Sequence, residues 1–77
     1  MKTTDIKIAP PFIKLEQFLK FAAIAETGGM AKNIIADGLV LVNGEVCTMR
    51  GKKLHNDDVV QLCDEDEQYR CVIEDED

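Results

Sequence analysis

The chain has 77 residues, 45% apolar, 5% aromatic and 31% charged, with a formal net charge of −6. That length supports one domain near the lower limit for a core without staples, so most apolar residues are committed to packing, and an elaborate active site is excluded. The charge is uneven: residues 64–77 hold eight acids against Arg70, a net of −7, which leaves residues 1–63 at +1.

Asp5 to Ala9 alternates enough to predict a short strand, which Pro10-Pro11 then stops. From Leu15, the apolar residues Phe18, Leu19 and Ala22 recur at the spacing of one helix face, predicting a first helix over about residues 14–24. Thr27 is a good N-cap for a second helix that begins at Gly28 or Gly29, with Met30, Ala31, Ile34 and Ile35 as its buried face. Gly38 stands where a left-handed C-cap is usual. Leu39 to Val42 reads as a buried strand, and Asn43-Gly44 is a strong hairpin signal that leads into Glu45, Val46 and Cys47.

Thr48 to Lys53 is a polar, basic loop. Asp57-Asp58 then turns the chain into a strand over Val59 to Cys63, and Tyr69 to Ile73 forms another beyond the acidic loop Asp64 to Gln68. The expected class is α+β: a two-helix pair packed on a small, curved antiparallel or mixed sheet. One domain spans 1–77, with its core over about 13–63 and an acidic C-terminal hairpin and tail over 64–77.

No run approaches a membrane span, and MKTTDIKIAPPF lacks the apolar core of a signal peptide, so we expect a cytoplasmic location. Cys47, Cys63 and Cys71 form no C-x-x-C pair, and with His55 they fit no zinc spacing. They read as small packing residues in strands rather than as nucleophiles. Asp57-Asp58 reads as a solvated turn rather than an acid–base pair, and no nucleotide-binding glycine motif is present. No catalytic residue, metal or cofactor is therefore expected.

Anion binding is the better prospect. A helix beginning at Gly28-Gly29 exposes unpaired N–H groups at its positive end, with no side chains to hold a phosphate away, and Lys32 lies one turn further on. A plain interhelix turn with a solvated lysine is the competing reading. Lys20, Lys32, Arg50, Lys52 and Lys53 stand on three elements. They form one patch if the basic loop folds back on the helix pair and remain scattered if it does not. The acidic tail reads as a solubilising end, or as a device that repels wrong polyanions or meets a basic surface.

The order helix, helix, strand, Asn-Gly hairpin, basic loop and Asp-rich turn resembles the RNA-binding domain named after ribosomal protein S-four, the alpha-L motif. The matching residues are Leu15, Phe18 and Leu19; Ala31, Lys32 and Ile35; Gly38, Val40, Val42, Asn43 and Gly44; and Asp58-Val59-Val60. Together they cover about residues 13–62. Within that family, Thr27-Gly28-Gly29, Lys32, Val42 to Glu45 and Arg50 to Leu54 look like the small free-standing bacterial proteins of the YaaA and YbcJ type. The chain departs from many members in offering only Lys32, beside neutral Asn33, on its second helix.

The resemblance implies a monomeric, non-catalytic binder of structured RNA, ribosomal or transfer, with the ribosome as a further expected partner and with no small-molecule substrate and no membrane contact. Its expected RNA contacts are Lys20, Thr27, Gly28, Gly29, Lys32, Asn33, Asn43, Arg50, Lys52 and Lys53. A protein-interaction module of the same fold, docking through its acidic end or its hairpin, is the alternative.

Overall fold

The computed structural model describes residues 2–73. Along the chain these form β1 (Lys2–Ile8), β2 (Ile13–Lys14), α1 (Leu15–Phe21), α2 (Gly28–Ala36), β3 (Val40–Val42), β4 (Glu45–Val46), β5 (Lys53–Leu54), β6 (Val59–Leu62) and β7 (Glu67–Ile73). Five strands make one mixed sheet in the order β1-β7-β6-β3-β4, and β2 pairs with β5 in a separate ribbon. This is the expected α+β arrangement of a helix pair on a small sheet. Among the described residues no helix is long and apolar enough to cross a membrane.

The helix ends follow from local chemistry. Thr27 Oγ1 accepts the Met30 amide at 3.1 Å, capping α2 as its sequence position predicts. At the other end Gly38, at φ +73°, sends its N–H to the Ile35 carbonyl, and Leu39 N–H reaches the Ile34 carbonyl. These two bonds are a Schellman closure.

The first helix closes in the same way, but earlier than expected. Ala23 adopts φ 60° and bonds to the Lys20 carbonyl, while the Ile24 amide bonds to the Leu19 carbonyl. An alanine does here what Gly38 does for α2, so α1 stops at Phe21 rather than near residue 24.

Leu15, Phe18, Leu19, Ala31 and Ile35 from the helices meet Val40, Val42, Val60 and Leu54 in the core. The buried cluster extends beyond residues 13–63 to Ile8 and Cys71, because β1 runs parallel to β7 along the far side of the sheet. In that register Asp5 faces Arg70, and the guanidinium donates to both carboxylate oxygens at 3.0 and 2.9 Å. This paired carboxylate raises the Arg70 pKa further above its ordinary value. The Pro10–Pro11 peptide between β1 and β2 is cis.

Met30 corrects the expected buried face of α2, being 46% exposed while Ala31 and Ile35 are fully buried. With about 100° of rotation per residue, it falls on the flank of the Ala31–Ile34–Ile35 stripe. Asn43 and Gly44 both have positive φ, 53° and 87°, which makes the tight β3–β4 hairpin that their dipeptide predicts.

Candidate nucleic-acid interface

The first turn of α2 is the simplest part of the site. Thr27 satisfies the Met30 amide with its hydroxyl and the Ala31 amide with its carbonyl. The amides of Gly28 and Gly29 come earlier than any intrahelical acceptor can reach. A Cβ on Gly28 would meet nothing within 4 Å, and one on Gly29 only Thr27 Oγ1 at 3.9 Å. Neither glycine has a positive φ. The fold therefore gives no steric or conformational reason for glycine at these positions. Lys32 and Asn33 are both exposed, and Lys32 follows the two glycines by four and three residues, on their flank of the helix.

The basic loop is tied to α1. The first helix has no side-chain cap at Lys14. In its place, the Leu15 amide donates to the Lys52 carbonyl at 2.8 Å and the Glu16 amide to the Arg50 carbonyl at 3.2 Å. The loop backbone thus caps the helix. Arg50 is anchored at the N-terminal end of α1 and Lys20 stands near its C-terminal end, separated along a helix roughly 10 Å long.

The positive side chains have little to neutralise them. Among the described residues the one ion pair of permanent charges is Arg70–Asp5, and exposed His55 lies 4.0 Å from the half-buried Asp58 carboxylate. Lys20, Lys32, Arg50, Lys52 and Lys53 thus have no described carboxylate within 4.0 Å. Neither does Lys14, which the β2–β5 register sets directly opposite Lys53. Like charges across a ribbon repel, and a shared anion would relieve that repulsion. The apolar spacing of α1 marks Lys14 only as a residue pointing elsewhere. It becomes a candidate once a pairing between residues some forty positions apart is known. Lys53 also stands over the Phe12 ring, 5.0 Å from its centroid.

Asn43, among the expected RNA contacts, is also a structural tie within the protein. Its Nδ2 donates to Asp58 Oδ1 at 3.1 Å, and its Oδ1 accepts the Val59 amide at 3.0 Å. Both ends of the carboxamide are engaged within the protein.

The cysteines divide by environment. Cys71 is buried in β7, and desolvation followed by the nearby Asp58 charge pushes its thiol pKa up. Cys63, expected as a packing residue, is exposed just beyond β6, with Sγ 3.5 Å from the Gly38 carbonyl oxygen, and Cys47 is half-buried. Burial, then Glu67, raises the Tyr69 pKa as well.

Two comparisons with known proteins bear on this geometry. The family model described as S4 domain matches residues 6–72. The chain is also 46% identical over 57 residues to a Bacillus subtilis strain 168 protein named probable ribosome maturation protein RlbA, covering 74% of this chain and 80% of that one.

Proposed function

This chain belongs to the S4 domain family, and we propose that it is a small, non-catalytic, cytoplasmic, monomeric protein that binds structured RNA through phosphate contacts. The amides of Gly28 and Gly29, with Lys32, hold one phosphate at the start of α2. Lys20, Arg50, Lys52 and Lys53, joined by Lys14, contact neighbouring phosphates of the same RNA. Asn43 supports this surface from inside the hairpin. Because the contacts are to backbone, recognition is of RNA shape and is weakened by salt.

The observation that carries this reading is the glycine pair at a helix start where neither packing nor φ requires glycine. An incoming phosphate supplies the missing reason, since bare amides at the positive end of a helix accept an anion at close range. The name of the Bacillus relative favours ribosomal over transfer RNA as the target. The combined substitution Lys32→Glu, Arg50→Glu and Lys53→Glu should abolish ribosomal RNA retention in a filter assay while the circular dichroism spectrum stays unchanged. Undiminished retention would reject the proposed surface.

A second reading has one observation in its favour. Val46 and Met49 are 58% and 66% exposed beside an open groove of about 390 Å³ at the β3–β4 hairpin, a place where a protein could dock. Co-sedimentation with ribosomes before and after ribonuclease separates the two, because association that survives digestion belongs to a protein partner. The acidic segment 74–77 invoked by that alternative lies outside the described residues.

A further inference from the structure

Phe21 is the last residue of α1, and its side chain is 64% exposed in a protein with few aromatic residues. It is not isolated. Phe21 lines an open groove of about 340 Å³ between α1 and the segment that joins β1 to β2, together with Phe12, Ile13, Gln17 and Lys20. That volume is at the low end of the roughly 300–1,000 Å³ typical of small-molecule sites, so it suits a single flat ring system rather than a folded segment.

The chemistry around the groove is mixed in a particular way. Two phenyl rings and buried Ile13 supply apolar walls, while Gln17 offers both a hydrogen-bond donor and an acceptor at the rim. Lys20 lines the same groove, and Lys53 stands over the Phe12 ring with Lys14 opposite it in the ribbon. Two lysines without described carboxylate partners thus border the aromatic cleft, Lys20 in its lining and Lys53 over the Phe12 ring, with Lys14 next in the ribbon register. An apolar protein segment would gain nothing from those charges, and a bare phosphate would gain nothing from the rings.

We infer that this groove receives one unpaired nucleobase of the bound RNA, stacked on Phe21 and walled by Phe12, with its flanking phosphates at Lys20, Lys14 and Lys53. Base–aromatic stacking beside a cationic track is the general physics of single-strand binding and tolerates any base. The Gln17 carboxamide meets the base edge. This rests on the RNA-binding reading above and adds to it that the target must present an unstacked nucleotide, such as a loop or bulge, beside its structured part.

The test uses two probes, an RNA hairpin with an unpaired loop and the blunt duplex of the same stem. Phe21→Ala should weaken hairpin binding by about ten-fold and leave duplex binding unchanged, with Phe21→Tyr restoring the hairpin. The chain contains no tryptophan, so Phe21→Trp supplies a single reporter whose fluorescence the hairpin, and not the duplex, should quench. Equal losses on both probes, or no quenching, would overturn the base site. If Lys32→Glu abolishes hairpin binding and Phe21→Ala does not affect it, the groove proposal fails while the phosphate reading stands. If the unaltered protein binds neither probe, both fail. Phe21→Ala that impairs ribosome co-sedimentation but not hairpin binding would assign the groove to a protein and overturn the proposal.

Discussion

Asn43 and Asp58 hold two turns together. The Asn43 carboxamide donates to Asp58 Oδ1 at 3.1 Å and accepts the Val59 amide at 3.0 Å, while Asp58 Oδ2 accepts the His55 amide at 2.7 Å. A hairpin residue thereby fixes the turn that starts β6. Asn43→Ala removes both bonds and forces an alanine to φ 53°, so it should cost about 2 kcal/mol, read as a lower urea midpoint. Asn43→Gly relieves the backbone part and should recover a portion of that loss.

Ala23 occupies the left-handed position that closes α1. It is exposed, so a glycine there loses no packing. Ala23→Gly should therefore raise stability, by up to about 1 kcal/mol, because the relief of the positive φ outweighs the extra freedom of the unfolded chain. Thermal denaturation monitored by circular dichroism would reveal the gain, and a lower midpoint would contradict the assignment.

Gly28 and Gly29 separate stability from binding. Alanine fits both sites and favours helix, so each Gly→Ala change should leave the fold as stable or stabilise it by roughly 0.4–1 kcal/mol. RNA affinity should fall in the same variants, because a methyl group stands where the phosphate approaches. Unaltered affinity in the double variant, measured by filter retention, would remove the helix start from the interface.

The lysines should be visible in the salt dependence. Replacing Lys32, Lys14 or Lys53 by Gln should each lower the slope of log affinity against log salt by about one. Lys14→Glu adds a further contrast, since it turns the like-charged Lys14–Lys53 pair into an attractive one. The fold should gain slightly while RNA binding weakens.

Cys71 and Tyr69 give the protein an alkaline limit. Burial raises the folded Cys71 thiol above its ordinary 9.0 and the folded Tyr69 phenol above its ordinary 10.0. The unfolded chain therefore releases these protons first, so their protonated forms favour the fold fully below about pH 9. That contribution declines as pH rises through the unfolded values and is gone above the folded ones. Urea midpoints should be steady towards neutrality and fall beyond pH 9. Under native conditions a thiol reagent should modify exposed Cys63 before buried Cys71.

The elements most legible in the sequence were those with local causes. Thr27 caps α2, Gly38 ends it and Asn43-Gly44 turns the hairpin, each acting within a few residues through a side-chain oxygen or a permitted positive φ. The early end of α1 was not legible, because alanine carries no signal for the left-handed conformation that Ala23 adopts. Nor was the exposure of Met30, where the apolar spacing of α2 admits a residue that packing leaves on the flank.

The sequence alone determined the two helices, the hairpin, the slightly positive body beside its acidic end, and the order of motifs that marks an S4 domain. Tertiary structure alone decided that β1 lies parallel to β7, that the carbonyls of Arg50 and Lys52 cap α1, and that Lys14 faces Lys53 near Phe12. The physical reason is range. Caps and turns are settled by neighbours in the chain, whereas pairing between distant segments depends on which apolar faces can be buried together, and it is that burial which carries the basic loop to the helix.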